Sequence, residues 1–141
     1  MTPHTPYEPP PPYSSEYANH PYLGEIAFTD SQVLRLWQFL GANGLDRNSF
    51  LIIAGDHGES LGEHEEGSHG FFVYQAAIHV PLIFTVPFGR FHGLSSARVT
   101  TLADILPTVC ELAGLPIPEE VQGKSLLTFF YRPGRENGSL A

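Results

Sequence analysis

Apolar residues run unbroken from Phe50 to Ala54 and give way at once to Gly55-Asp56-His57-Gly58. A run this short, closed by glycine, predicts a strand buried on both faces. Upstream, Ile26, Val33, Leu34, Trp37 and Leu40 recur at helical spacing, with Glu25, Asp30, Gln32 and Arg35 largely elsewhere. That pattern predicts a helix from about Tyr22 to Ala42, ended by Gly41 and Gly44. Val80 to Val86 reads as a second buried strand, with Pro81 at its start, where a missing N–H is tolerable, and Pro87 at its close. Between the two strands, Glu59 to Gly70 is dense in Glu, His and Gly and reads as an irregular loop, and Phe71 to Ala77 as a short helix. Residues 97–99 suit a short edge strand. Leu102, Ile105, Leu106, Val109, Leu112 and Ala113 then repeat at helical spacing, with Thr101 and Asp104 placed as a capping box and Gly114 as the C-terminal cap.

The first 21 residues follow no such pattern. They hold seven of the 13 prolines, four of them consecutive, so neither a helix nor a sheet interior is expected there. Tyr7, Tyr13 and Tyr17, with Tyr22 just beyond, give this stretch aromatic area to pack on a surface. The expected organisation is a proline-rich arm over 1–21, the body of the domain over 22–131, and a disordered tail over 132–141. A chain of 141 residues with 42% apolar content is long enough for one domain with a core. Its net charge of −8 opposes nucleic acid and anionic membranes as partners. The single cysteine, Cys110, excludes an internal disulfide and sits on the apolar pattern of a helix, where it reads as a small buried hydrophobe. No apolar run approaches the ~20 residues of a membrane span, so no membrane segment is expected.

Asp56 and His57 stand at the C-terminal end of the first strand, the edge at which open α/β sheets receive ligands. Carboxylate oxygen beside imidazole nitrogen suits a divalent cation, Ca²⁺, Mn²⁺ or Zn²⁺, although a strand followed by a polar turn would look the same. His69, twelve residues further on, and His4 in the arm are the other candidates, able to hold an anion or pass a proton. Glu59, Glu63, Glu65 and Glu66 read as a solvated acidic loop, Glu59 alternatively as a helix cap. His64 and His69 are five apart with a glycine between, which excludes the zinc-protease helix. Gly-x-Ser-x-Gly, phosphate-binding glycine loops and Cys-x-x-Cys are absent.

Several segments together resemble the C-terminal part of the sulfatase family domain, within the alkaline phosphatase superfamily. They are Pro3-His4-Thr5-Pro6-Tyr7, Tyr22-Leu23-Gly24-Glu25 through Asp30, Asp56-His57-Gly58-Glu59-Ser60-Leu61-Gly62-Glu63-His64, Ser68-His69-Gly70, Tyr74, Val80-Pro81-Leu82-Ile83, Asp104-Ile105-Leu106-Pro107-Thr108 and Gln122-Gly123-Lys124-Ser125-Leu126. The resemblance implies an α/β fold: a partial αβα sandwich of the alkaline phosphatase-like type, with the N-terminal half of the domain missing. It implies that Asp56 and His57 are metal ligands, to one divalent ion with Ca²⁺ favoured, and that His4 and His69 contact the sulfate or phosphate group. His69 stands where the family usually has lysine; a lysine is reliably cationic, whereas a histidine needs the bound anion to keep it protonated. His79 stands where arginine is common and is assigned a structural role.

The family's early acidic metal ligands and its Cys-x-Pro-x-Arg or Ser-x-Pro-x-Arg motif, whose cysteine matures to formylglycine, are not in this sequence. The expectation is therefore a sulfate-ester hydrolase acting on small-molecule esters, present as a fragment with little or no turnover of its own. Phosphate or phosphonate ester hydrolysis, phosphoryl-group transfer, and a non-catalytic metal- or oxyanion-binding module are the alternatives. Strands deprived of sheet neighbours would also leave an apolar edge open to self-association.

Overall fold

Proline fixes φ near the helical value and has no N–H to leave unpaired, so it can open a helix even though it cannot continue one. The computed structural model, which describes residues 3–65, 67, 69, 72–87 and 93–130, shows this twice. Pro12 precedes a single helical turn, α1 (Tyr13–Glu16), inside the arm where no helix was expected. Pro21 begins the long helix α2 (Pro21–Ala42). That helix runs through Gly41 and is closed by Asn43 and Gly44. The Asn43 side-chain amide donates to the Phe39 carbonyl at 2.8 Å, and Gly44 takes a left-handed φ of +67°.

The expected strands form at Leu51–Ala54 (β1) and Leu82–Thr85 (β2) and pair antiparallel, Leu51 opposite Thr85 and Ala54 opposite Leu82. Burial on both faces is not met: Ala54 is exposed and Ile83 is 51% exposed. Two four-residue strands, each about 13 Å long, cannot cover a helix of about 33 Å. Val33, Leu34 and Trp37 of α2 accordingly face Leu51 and Ile53 across an open groove of ≈ 280 Å³. The helix expected from Phe71 to Ala77 begins only at Gln75 (α3, Gln75–Ile78), because Tyr74 is extended, with ψ 160°; Phe71 itself lies outside the described residues.

These elements belong to the first of two compact units, Met1–Gly89, and the second, Arg90–Ala141, is built around α4 (Ile105–Ala113). A 3₁₀ turn, Leu102–Asp104, leads into α4 through the expected capping box, with the Thr101 N–H donating to Asp104 Oδ2 at 2.9 Å. Gly114 closes the helix at φ +67°, and the Leu115 N–H returns to the Cys110 carbonyl at 2.8 Å. The segment before α5 (Leu127–Phe130) docks on this start: the Lys124 N–H donates to Asp104 Oδ1 at 2.8 Å and the Leu126 N–H to Thr108 Oγ1 at 2.9 Å. Pro107, Thr108, Cys110, Leu126 and Leu127 are buried, Cys110 as the small hydrophobe expected. Residues 97–99 form no strand, and Val99 is 96% exposed. The tail 132–141 lies outside the described residues. No helix among the described residues is long and apolar enough to cross a membrane.

Two stability measurements test this account. A Cβ on Gly123 would sit 2.0 Å from the Ala103 carbonyl oxygen, whereas one on Gly41 meets nothing within 4 Å. Gly123→Ala is expected to lower the unfolding free energy by about 1–3 kcal/mol, and Gly41→Ala to raise it by about 0.5–1 kcal/mol. Equal effects in urea melts would contradict the packing described. The Lys124 amide, aided by Thr101, holds the Asp104 carboxyl below its ordinary value of 3.8. The folded value is the lower one, so this stabilisation is complete above about 3.8 and fades as pH falls through the folded pKa. Asp104→Asn should flatten the acid limb of stability against pH; an unchanged limb would refute the role of Asp104.

Candidate functional site

The site grows from the end of β1. Gly55 extends the ladder by one bond, its N–H donating to the Pro81 carbonyl at 3.2 Å, and the chain then turns, Asp56 Oδ1 accepting the His57 N–H at 3.0 Å. Gly58 donates its N–H to the Ala77 carbonyl at 2.7 Å, and a Cβ there would lie 2.0 Å from the Ala76 oxygen. Only glycine lets the turn press so closely on the backbone of α3. Past this contact the chain runs inward: Glu59 is 9% exposed and Ser60 fully buried.

The arm supplies the other side. Glu25, on the first turns of α2, is 2% exposed, and its two oxygens accept the N–H groups of His4 and Glu8, each at 2.9 Å. A buried carboxylate needs such partners, and two charge-assisted bonds supply them. Gly24 beside it leaves room for Pro9, whose Cγ would be 2.8 Å from a Cβ at that position, and the Tyr7 and Tyr22 rings meet edge-on at 5.3 Å. Burial pushes the Tyr7 hydroxyl pKa up; Thr5 opposes the rise and the Glu59 carboxylate adds to it.

Three histidines from separate segments meet here. The His57 and His69 rings stack with centroids 3.9 Å apart, His4 stands edge-on to them at 5.9 and 4.9 Å, and one nitrogen from each ring lies within 4.8 Å of the others. Each Nδ1 faces an oxygen acceptor: Thr5 O from His4 at 2.7 Å, Gly58 O from His57 at 2.8 Å, and Glu59 Oε1 from His69 at 2.9 Å. A carbonyl or carboxylate oxygen cannot donate, so each Nδ1 carries the proton. Asp56 adjoins the group, Oδ1 lying 3.9 Å from His57 Nε2, with its side chain 90% exposed.

His4, Asp56, His57 and His69, all singled out in the sequence, are thus gathered at one place. Glu63 and Glu65 are exposed, as a solvated loop requires, and Glu66 lies outside the described residues. Glu59 departs from that reading: it is neither solvated nor a helix cap but buried, holding His69. Glu25 and Tyr7 were not singled out for the site either. A carboxylate gripping an arm 17 and 21 residues upstream has no sequence period to reveal it.

A short sheet flanked by a long helix, with histidines and a carboxylate at a strand end, is a portion of the α/β fold of alkaline phosphatase-like enzymes. Solved structures bear this out. One, in complex with its substrate D-glucosamine-2-N,6-O-disulfate, matches with TM-score 0.70 and 29% identity over 77% of this chain and 22% of its own. The phosphonate monoester hydrolase of Agrobacterium radiobacter matches with TM-score 0.73 and 32% identity over 84% of this chain and 23% of its own. The sulfatase family profile matches residues 1–115, and the chain belongs to the sulfatase family. Human arylsulfatase K is 35% identical over 106 residues, 75% of this chain and 19% of its own length. The N-acetylglucosamine-6-O-sulfatase of Bacteroides thetaiotaomicron is 29% identical over 114 residues, 81% and 20% of the two chains. The chain therefore spans about a fifth of the length of the curated relatives it matches.

The hold of Glu25 on the arm is open to test. Glu25→Ala removes an acceptor from two backbone N–H groups, and His4 should leave the other two histidines. Limited proteolysis is expected to cut within residues 3–12 at least tenfold faster in the variant, about the effect of 1.4 kcal/mol. Equal cleavage would show that the arm is held by its prolines and tyrosines instead.

Proposed function

We propose that this chain carries the part of a sulfate-ester hydrolase that grips a divalent cation and the anionic end of a small-molecule substrate. The observation that carries the reading is the convergence of His4, His57 and His69 beside Asp56, on the motifs that place the chain in the sulfatase family. Asp56 and His57 are the proposed cation ligands, with Ca²⁺ favoured and Mn²⁺ or Zn²⁺ as alternatives. Their donor atoms, 3.9 Å apart, fall within the span of two bonds of ~2.0–2.6 Å to a shared ion. When bound, that cation polarises the ester oxygens and favours the attacking group. His4 and His69, protonated on both nitrogens, would each present an N–H to the anion. Glu59 behind Nδ1 keeps the His69 ring turned so that Nε2 faces the substrate side, where it can hand a proton to the leaving oxygen. The chain has no Cys-x-Pro-x-Arg motif to supply formylglycine, so on its own it is proposed to turn over little or nothing.

Likeness to a phosphonate monoester hydrolase supports a second reading, phosphonate or phosphate ester hydrolysis by the same groups. Self-association through the outer edges of the β1–β2 ladder is a further part of the proposal.

Reconstitution with a sulfatase segment that bears the nucleophile motif tests the function. Arylsulfate turnover should appear, exceed arylphosphonate turnover and disappear on chelation of divalent metal. His69→Ala should lower kcat about 10²–10⁴-fold with a smaller change in KM. Faster arylphosphonate hydrolysis would favour the second reading. Turnover indifferent to both His69→Ala and Asp56→Ala would overturn both.

A further inference from the structure

Helix α2 is apolar over more of its surface than the two strands it meets can cover. Leu34 is 53% exposed and Trp37 37%, although both lie on the stripe that faces the sheet. The groove beneath them is lined by Leu51 and Ile53 of β1 but by Thr85 alone from β2, so the uncovered ground lies on the β1 side. Among the described residues β1 pairs with β2 and with no other strand. The Gly55 N–H points to Pro81, and main-chain groups alternate along a strand, so the N–H and C=O of Ile52 and Ala54 face the opposite edge. No charged residue or proline stands between Phe50 and Ala54 to protect that edge.

A helix that packs on a sheet and leads directly into a strand is the later part of a strand–helix–strand crossover, whose first strand lies parallel to the last. The arm marks where such a first strand ends. His4 stands against His57, ring centroids 5.9 Å apart, so the chain passes the C-terminal end of β1 before it enters α2. A strand that ends there and lies beside β1 runs parallel to it. From this we propose that the outer edge of β1, with the groove under Val33, Leu34 and Trp37, receives a parallel strand from a part of the sulfatase domain outside these 141 residues. The chain spans about a fifth of the length of the curated relatives it matches, so the family's domain has chain from which this strand can come. The added strand is apolar on both faces: one side fills the groove, and the other continues the layer of Ile52 and Phe84. Self-association would use the same edge, so the strand and a second copy of the chain compete for it. The inference rests on the family and the fold and not on the hydrolase reading, and none of its readouts is turnover.

The test extends the 141-residue chain with a duplicate of residues 50–54, joined ahead of Met1 by a Gly-Ser linker; a control carries an extension of equal length made of glycine and serine. Amide exchange at Ile52 and Ala54 should slow by about tenfold or more with the duplicate strand and stay unchanged in the control. Emission from Trp37, the one tryptophan, should shift to the blue. Phe84, on the outer edge of β2, should exchange as before. Leu34→Ser in the strand-extended chain should lose the protection, whereas Leu36→Ser, 47% exposed and outside the groove, should keep it. Both positions are exposed, so both variants keep the fold, which thermal unfolding verifies. Unchanged exchange at Ile52 and Ala54, slowing at Phe84 instead, or undiminished protection in folded Leu34→Ser would each overturn the proposal. Protection of Ile52 and Ala54 that rises with concentration in the unextended chain, and is not displaced by the duplicate strand, would assign the edge to a second copy and overturn it too.

Discussion

The contact between Gly58 and the backbone of α3 governs the local geometry. A hydrogen bond of 2.7 Å to the Ala77 carbonyl, with no space for a side chain, pins the turn after β1 against a second backbone segment. Pinned there, the chain has to leave His57 on the outer side and carry Glu59 and Ser60 inward. Inward placement makes Glu59 a support for His69 rather than a solvated charge. One steric constraint thus sets the position of two histidines, one as a neighbour of the turn and one through a buried carboxylate.

The second unit uses the same device. Gly123 approaches the start of α4 as closely as Gly58 approaches α3, and the amides that follow it go to Asp104 and Thr108. In both places a short irregular segment is held by backbone groups meeting backbone or short polar side chains, not by a large apolar core. Among the described residues the largest fully buried side chains are correspondingly small, Ser60, Pro107 and Thr108. Much apolar area stays open, as on the α2 face toward β1, because the strands are too short to cover it.

Features governed by neighbours in sequence were legible from the sequence. The span of α2, the capping box of Thr101 and Asp104, the left-handed Gly114 and the placement of Asp56 and His57 at a strand end all depend on residues a few positions apart. The family likeness pointed to His4 and His69 as well. What was not legible depends on distant partners. Strand burial depends on how many layers the chain supplies, and strand formation at Ala97 to Val99 would depend on a pairing partner that the local sequence does not specify. The state of Glu59 is decided by which backbone folds over it, and the acidic composition of its loop pointed the other way. Glu25 gave no sign of its task, since its partners are main-chain N–H groups that every residue but proline possesses.

That last point explains the make-up of the arm. Because Glu25 grips amide hydrogens and not side chains, this anchor restricts the arm only in where an imino acid can stand. Prolines occupy positions 3, 6, 9, 10, 11 and 12, while 4 and 8, whose hydrogens are engaged, are histidine and glutamate. The stiffness of the segment and its attachment are therefore written in complementary positions, and a proline moved by one place, from 3 to 4 or from 9 to 8, would keep the composition and lose the anchor.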